Sequence, residues 1–205
     1  MDKKNISTPS KDKVEYYLKE WLKKANYVAQ ENALNKLFWD TFPKNDNLDE
    51  ILIKVSCLND FYSTNIRWVF DVARHIKKLN VDERLKDNDM SLVQSIARVE
   101  VSGKNDKNDK KIINFYSFAS KYCSHHKDKA KEFPIYDSYV KKVLLYFAKR
   151  DGFYDFKKAD LKEYATFKDV LIKFSAFYDI KQYDLKEIDR YLWQLGKECF
   201  KKQKS

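Results

Sequence analysis

The sequence predicts an all-α fold, a helical bundle of about eight helices with two small lobes. Three observations carry that prediction. Only three Gly and three Pro punctuate 205 residues, too few for the tight turns of a β protein. Apolar residues recur at spacings of three and four along most of the chain, and no segment reads as a firm strand. Hydrophobic residues are 43% and aromatic residues 16%, enough to fill a core.

Residues 1–10 are polar, and the expectation is a frayed, disordered end. From Lys11 the residues Val14, Tyr17, Leu18, Trp21, Ala25, Val28 and Ala29 mark one helical face, which runs to about Asp40 with a break near Asn32. Phe42-Pro43 stops it. Asn47 or Asp46 caps a second helix, Leu48 to Leu58. Ser63-Thr64-Asn65 caps a third, Ile66 to Leu79, and Asp87-Asn88-Asp89 a fourth, Met90 to about Val101. The polar stretch from Ser102 to Lys111, with Gly103, reads as a loop. An aromatic helix follows, Ile112 to His125, then a charged loop, Lys127 to Glu132. Asp137 caps a helix from Ser138 to Arg150. Two more close the chain, from Lys158 or Thr166 to Tyr178 and from Asp184 to about Phe200. The expected arrangement is a single domain over 11–205, with a central lobe 48–150 and a second lobe from 11–45 plus 151–205.

Charge and composition narrow the function classes. The net charge of +10 (41 Lys+Arg against 31 Asp+Glu) and a pI near 9.2 suit a polyanionic partner. The same bias, with only six arginines among the basic residues, also fits an AT-rich genome. No run of about 18 apolar residues spans a membrane. The N-terminus lacks the apolar stretch of a secretory signal. Cys57, Cys123 and Cys199 are odd in number, widely spaced and without a C-x-x-C, as reduced buried thiols are. The expectation is a cytoplasmic, nucleoid-associated protein. No heptad seam suggests a coiled coil, and a monomer is the expectation.

One lysine and one aspartate, sixteen positions apart, carry the candidate chemistry. Lys121 lies in the aromatic segment Phe118-Ala119-Ser120-Lys121-Tyr122, and Asp137 follows Pro134-Ile135-Tyr136. An amine near its ordinary pKa of about 10.4 is charged at neutral pH and not nucleophilic. Burial among Phe115, Phe118 and Tyr122 would favour the neutral form, and a neutral amine is a nucleophile. A carboxylate held as a helix cap stays ionised and can stabilise a sugar cation. Read separately, the two are an ordinary surface lysine and an ordinary N-cap.

With these residues placed, the middle of the chain resembles the helix-hairpin-helix DNA glycosylases, in their 8-oxoguanine branch. Ser117-Phe118-Ala119-Ser120-Lys121 is similar to the family's Gly-hydrophobic-Gly-Thr-Lys, with Ser117 and Ala119 in the glycine positions. Pro134-Ile135-Tyr136-Asp137 is similar to its Pro-Val-Asp, with one extra residue. Ser63-Thr64-Asn65-Ile66-Arg67 is similar to its asparagine-bearing turn before a helix. The resemblance covers residues 48 to 150. It implies an all-α fold that flips a damaged base out of double-stranded DNA. Lys121 would be the Schiff-base nucleophile and Asp137 its carboxylate partner. Asn65 and Arg67 would probe the opposite strand, and Ser117, Ala119 and Ser120 would approach the backbone.

Around that pair, Tyr136 and Tyr139 are candidate faces for a flipped base, and His125 a stacking or hydrogen-bonding neighbour. Trp193 and Gln194 on the last helix are candidate base contacts, with core packing as the alternative. Cys123-Ser124-His125-His126 lacks the fourth ligand of a zinc site, so no metal and no cofactor are expected. The lysines after Gly103 read as a solvated loop or a phosphate contact. The alternative to an excising enzyme is a non-catalytic helical module that binds nucleic acid or protein.

Overall fold

The computed structural model describes residues 6–102 and 110–200. Among these, ten α-helices carry most of the chain, beside one two-stranded antiparallel sheet. Two compact units divide it. One comprises residues 29–135, the other 1–28 with 136–205. The lobes expected from sequence, 48–150 and 11–45 plus 151–205, set their boundaries elsewhere.

The central unit contains the end of α2 (Ala25–Asn35), a π-helical turn (Lys36–Thr41), α3 (Leu48–Phe61), α4 (Val69–Lys77), α5 (Val81–Lys86), α6 (Ser91–Ala97), β1 (Arg98–Ser102), β2 (Lys110–Asn114) and α7 (Tyr116–Ser124). Asn47 starts α3 by accepting the backbone N–H groups of Asp49 and Glu50. Ile51, Val55 and Leu58 of α3, Val72 and Ile76 of α4, Leu92 and Ile96 of α6 and Phe118 of α7 are buried. Each contributes about 1.5–3 kcal/mol by taking its apolar surface out of water.

Several expected boundaries are corrected here. The first long helix breaks at Lys23–Lys24, between α1 (Lys11–Leu22) and α2, not at Asn32. The helix expected from Met90 to Val101 ends at Ala97, and the one expected from Ile112 begins at Tyr116. The residues between form β1 and β2, paired Val99 to Ile113 and Val101 to Lys111. Val99 and Val101 point into the core while Arg98 and Glu100 face out, the period-2 pattern of a half-buried strand. The third helix starts at Val69, not Ile66, because Trp68 keeps a non-helical backbone (φ −106°, ψ 51°), and it ends at Lys77, not Leu79.

The second unit contains α1, the start of α2, α8 (Ser138–Asp151), a 3₁₀ turn (Asp160–Lys162), α9 (Tyr164–Phe177) and α10 (Leu185–Cys199). Asp137 caps α8, and Gly152 closes it in the left-handed conformation (φ 63°). Asp184 and Glu187 form a reciprocal capping box on α10. Gly196 is the close-approach residue: a Cβ there would stand 2.8 Å from the Tyr139 carbonyl oxygen, so only glycine lets α10 lie this near α8.

The expectation of a frayed end over residues 1–10 is corrected for 6–10. Ile6 is buried, and its carbonyl accepts the Arg150 guanidinium, which also donates to Thr8. Arg150 holds Asp151 through two further bonds and stacks 4.6 Å from the Phe147 ring. Residues 1–5 lie outside the described residues, as do Gly103, Lys104 and Lys107 of the expected phosphate-contact loop; Lys110 and Lys111, expected in that loop, begin β2 instead.

Candidate functional site

In the central unit, α7 places Lys121 where the chain turns inward. Lys121 is 3% exposed. Its Nζ donates to Ser117 Oγ at 2.6 Å and to the Ser117 carbonyl at 3.3 Å, one helical turn back, and lies 5.0 Å from the centre of the Tyr62 ring. Tyr62 follows α3, and its hydroxyl meets His125 Nε2 at 2.8 Å. The His125 carbonyl accepts the Trp39 indole N–H at 2.8 Å, which fixes the end of α7. Tyr62 was not singled out in the sequence. It directly precedes the turn that was.

That turn is a rigid piece. Asn59 Oδ1 accepts Thr64 Oγ1 and the Ile66 N–H, both at 2.8 Å, and Asn59 Nδ2 donates to the Ile66 carbonyl. This brace holds the left-handed Ser63 and Asn65. Asn65 and Arg67 are both exposed beyond it, and Asn65 Nδ2 donates to the Ser63 carbonyl. The structure therefore brings together Lys121, Ser117, Tyr62 and His125, and the Asn65 turn follows Tyr62 in the chain.

Other expected residues fall elsewhere. Ala119 and Ser120 are wholly buried inside α7, and Ser120 Oγ is turned back on the Ser117 carbonyl. Phosphate contact at these two is corrected: a continuous helix, not a hairpin turn, carries Ser117 to Lys121. Asp137 belongs to the other unit. It is half-buried, and its Oδ1 accepts the Tyr139 N–H at 2.7 Å. Tyr136 sits edge-on to Phe167 at 5.3 Å, and burial, aided by Asp137, raises its phenol pKa. Tyr139 lies beneath the Lys142 ammonium at 5.3 Å.

Trp193 and Gln194 line a cleft of about 310 Å³ between α1 and α10, with Tyr16, Tyr17, Lys197 and Glu198. Trp193 meets Trp21 and Tyr27 edge-on, and Lys197 Nζ stands 4.6 Å from its ring. Gln194 is buried. Its Nε2 donates to the Tyr17 carbonyl at 2.7 Å, while its Oε1 finds no donor among the described residues.

A second buried lysine was missed. Lys54 is fully buried on α3 and donates to the carbonyls of Phe42 and Lys44 and to Asn45 Oδ1, at 3.2, 2.6 and 2.8 Å. Burial lowers its pKa to about 8, against the pull of Asp82, Glu50 and Asp46. All three ammonium protons are directed at acceptors, so Lys54 is a structural cation. Its signal was present in the sequence: position 54 falls three after Ile51 and four before Leu58, on the apolar stripe.

Of the Cys-x-His-His string, His126 Nδ1 donates to the Tyr122 carbonyl and Nε2 accepts from Asn45 Nδ2, so both ring nitrogens are taken. Burial, then Lys54, lowers the His126 pKa to about 3. Burial pushes the Cys123 thiol far up. Among the described residues no three His, Cys, Asp or Glu side chains are grouped to hold a metal ion. No helix among them is long and apolar enough to cross a membrane.

Residues 13–131 match the HI_0787_N family, described as an N-terminal domain. The chain belongs to this family. An uncharacterized protein of Haemophilus influenzae is 47% identical over 167 residues, 81% of this chain and 73% of the relative. No solved structure matches. The match of this HI_0787_N member spans α1 to the segment after α7, so Lys121, Tyr62 and Asn65 lie inside it and Asp137, Trp193 and Gln194 beyond it.

Proposed function

We propose that this HI_0787_N protein is a DNA glycosylase with AP-lyase activity on an oxidised purine of the 8-oxoguanine kind. Lys121 is the nucleophile. Its neutral amine attacks C1′ of the flipped nucleotide, the glycosidic bond breaks, and the base leaves with a proton. The sugar ring opens to an imine on Nζ, and β-elimination then cleaves the 3′ C–O bond. Asn65, exposed on its braced turn, meets the strand opposite.

The observation that supports this reading is the setting of Lys121. It is a buried lysine held by a serine hydroxyl over an aromatic ring, in the same unit as the exposed Asn65 turn. Lys54, also buried among the described residues, directs its protons at three acceptors as a structural cation does.

Borohydride reduction of the imine tests the reading. The full chain with an 8-oxoguanine or abasic duplex should give a covalent adduct, and Lys121→Gln should give none while melting as the parent does. No adduct from the parent chain, or an undiminished adduct from Lys121→Gln, overturns it. The second reading is a helical nucleic-acid-binding module without excision. It is favoured by the helical, buried Ala119 and Ser120 where the glycosylase family has a hairpin. It predicts a salt-sensitive gel shift and no adduct.

A further inference from the structure

The hairpin of the central unit leaves one backbone edge open. Among the described residues β2 pairs with β1 and with no other strand. The parity of that pairing decides which residues face the open side. The Phe115 N–H donates to the Ala97 carbonyl at 2.8 Å, and the Arg98 N–H donates back into α6, to the Gln94 carbonyl. Backbone bonds in an antiparallel pair alternate from one facing pair to the next. Val99 therefore bonds Ile113 and Val101 bonds Lys111, whereas Arg98 with Asn114, Glu100 with Ile112 and Ser102 with Lys110 exchange no bonds. The backbone N–H and carbonyl groups of Lys110, Ile112 and Asn114 consequently point away from β1.

Lysines on an open edge commonly keep it single by repulsion. On β2 both lysines are occupied locally. Lys110 Nζ is paired with Glu100 at 2.7 Å, and Lys111 Nζ rests 5.0 Å from the centre of the Trp68 ring. The middle of the strand is apolar and open: Ile112 is 64% exposed, while Val99 and Val101 of the same hairpin are buried. Antiparallel pairing about Ile112 is self-complementary. It sets Ile112 against Ile112, Lys111 against Ile113 and Lys110 against Asn114, so no like charges stand directly opposed. Lys110, Ile112 and Asn114 all carry outward backbone groups, so the same register satisfies the hydrogen bonds of the edge.

We propose that β2 pairs antiparallel with β2 of a second copy of this chain, with Ile112 on the two-fold axis, so that two hairpins make one continuous sheet. The pairing is independent of the excision chemistry. An edge of five residues is too short for a permanent interface, so the dimer is reversible and concentration-dependent.

Sedimentation equilibrium of the full chain, from low micromolar to near-millimolar concentration, tests this. The mass should rise with concentration from 24.6 kDa towards twice that value. Ile112→Pro removes an outward N–H and no bond to β1, and Ile112→Lys sets two ammonium groups on the axis. Each should weaken dimerisation by about tenfold or more. Ile172→Lys, at an exposed apolar position on α9, should dimerise as the parent does. A short bismaleimide reads the register. Ile112→Cys sites would face each other at about 5.5 Å and should be linked. Asn114→Cys sites would lie about 14 Å apart and should be linked no more than the parent chain.

A single-chain mass over the whole range, or undiminished dimerisation of Ile112→Lys, overturns the proposal. So does an equal loss in Ile172→Lys. Linking of Asn114→Cys as efficient as that of Ile112→Cys overturns it too, because another surface would then hold the copies together. Melting of each variant is followed alongside. If Ile112→Pro fails to fold, Ile112→Lys, a change at an exposed side chain, decides alone.

Discussion

Asn45 makes five hydrogen bonds from an almost closed position. Its backbone and side-chain N–H groups donate to Asp82, Nδ2 also donates to His126, and Oδ1 accepts from Lys54 and Tyr122. Such a network stabilises only while every member is satisfied. His126 must therefore stay neutral, with its proton on Nδ1. Between its folded pKa of about 3 and the ordinary 6.5, the unfolded chain binds a proton that the folded chain refuses. Stability is full above pH 6.5 and drains as the pH falls towards 3. At pH 5 the loss should be about 2 kcal/mol. Urea unfolding at pH 7 and pH 5 measures it. His126→Gln keeps an acceptor for Asn45 but cannot titrate, so its stability should change less over that range by about the same amount. An identical pH dependence in both proteins would remove His126 as the cause.

At the scale of elements, Asp137 has a capping duty that substitutions can measure. As the cap of α8 it accepts the Tyr139 N–H. Asp137→Ala should destabilise the chain by about 1 kcal/mol, while Asp137→Asn, an equally good cap, should cost a few tenths. Thermal melting of the two variants measures the difference. An equal loss in both variants would show that capping is not what Asp137 contributes. The helices that carried such chemical marks were legible in sequence. Asn47, Asp137 and Asp184 each announced a helix that is present. The hairpin was hidden because Arg98 to Val101 offers only two apolar positions, and β2 is almost wholly exposed. Neither strand carries enough period-2 signal to outweigh the helical pattern before it. The break at Lys23–Lys24 has no Gly or Pro to mark it. At the candidate site, Lys121 and Asn65 were visible through short motifs. Tyr62 was not, since nothing in sequence links the end of α3 to α7.

Across the whole molecule, the matched family region and the structural units follow different boundaries. The family region covers residues 13–131, so it takes in α1 and omits α8, α9 and α10. Yet α1 packs against α10. Tyr17 donates to Glu198 at 2.8 Å, Gln194 donates to the Tyr17 carbonyl, and Trp21 meets Trp193 edge-on. Burial and Glu198 together push the Tyr17 phenol far above its ordinary pKa, so the contact is with the neutral hydroxyl. A fragment of residues 13–131 would keep Ile51, Val55, Leu92, Ile96 and Phe118 on shared core contacts, because all five belong to the unit 29–135. It would strip α1 of its partner and expose Val14 and Tyr17. An isolated helix of twelve residues is marginal in water. Amide hydrogen exchange on that fragment should therefore find residues 14–22 unprotected and residues 51–58 and 92–97 slow, whereas the full chain protects all three. Protection of 14–22 in the fragment equal to that in the full chain would show that α1 is held by something other than α10.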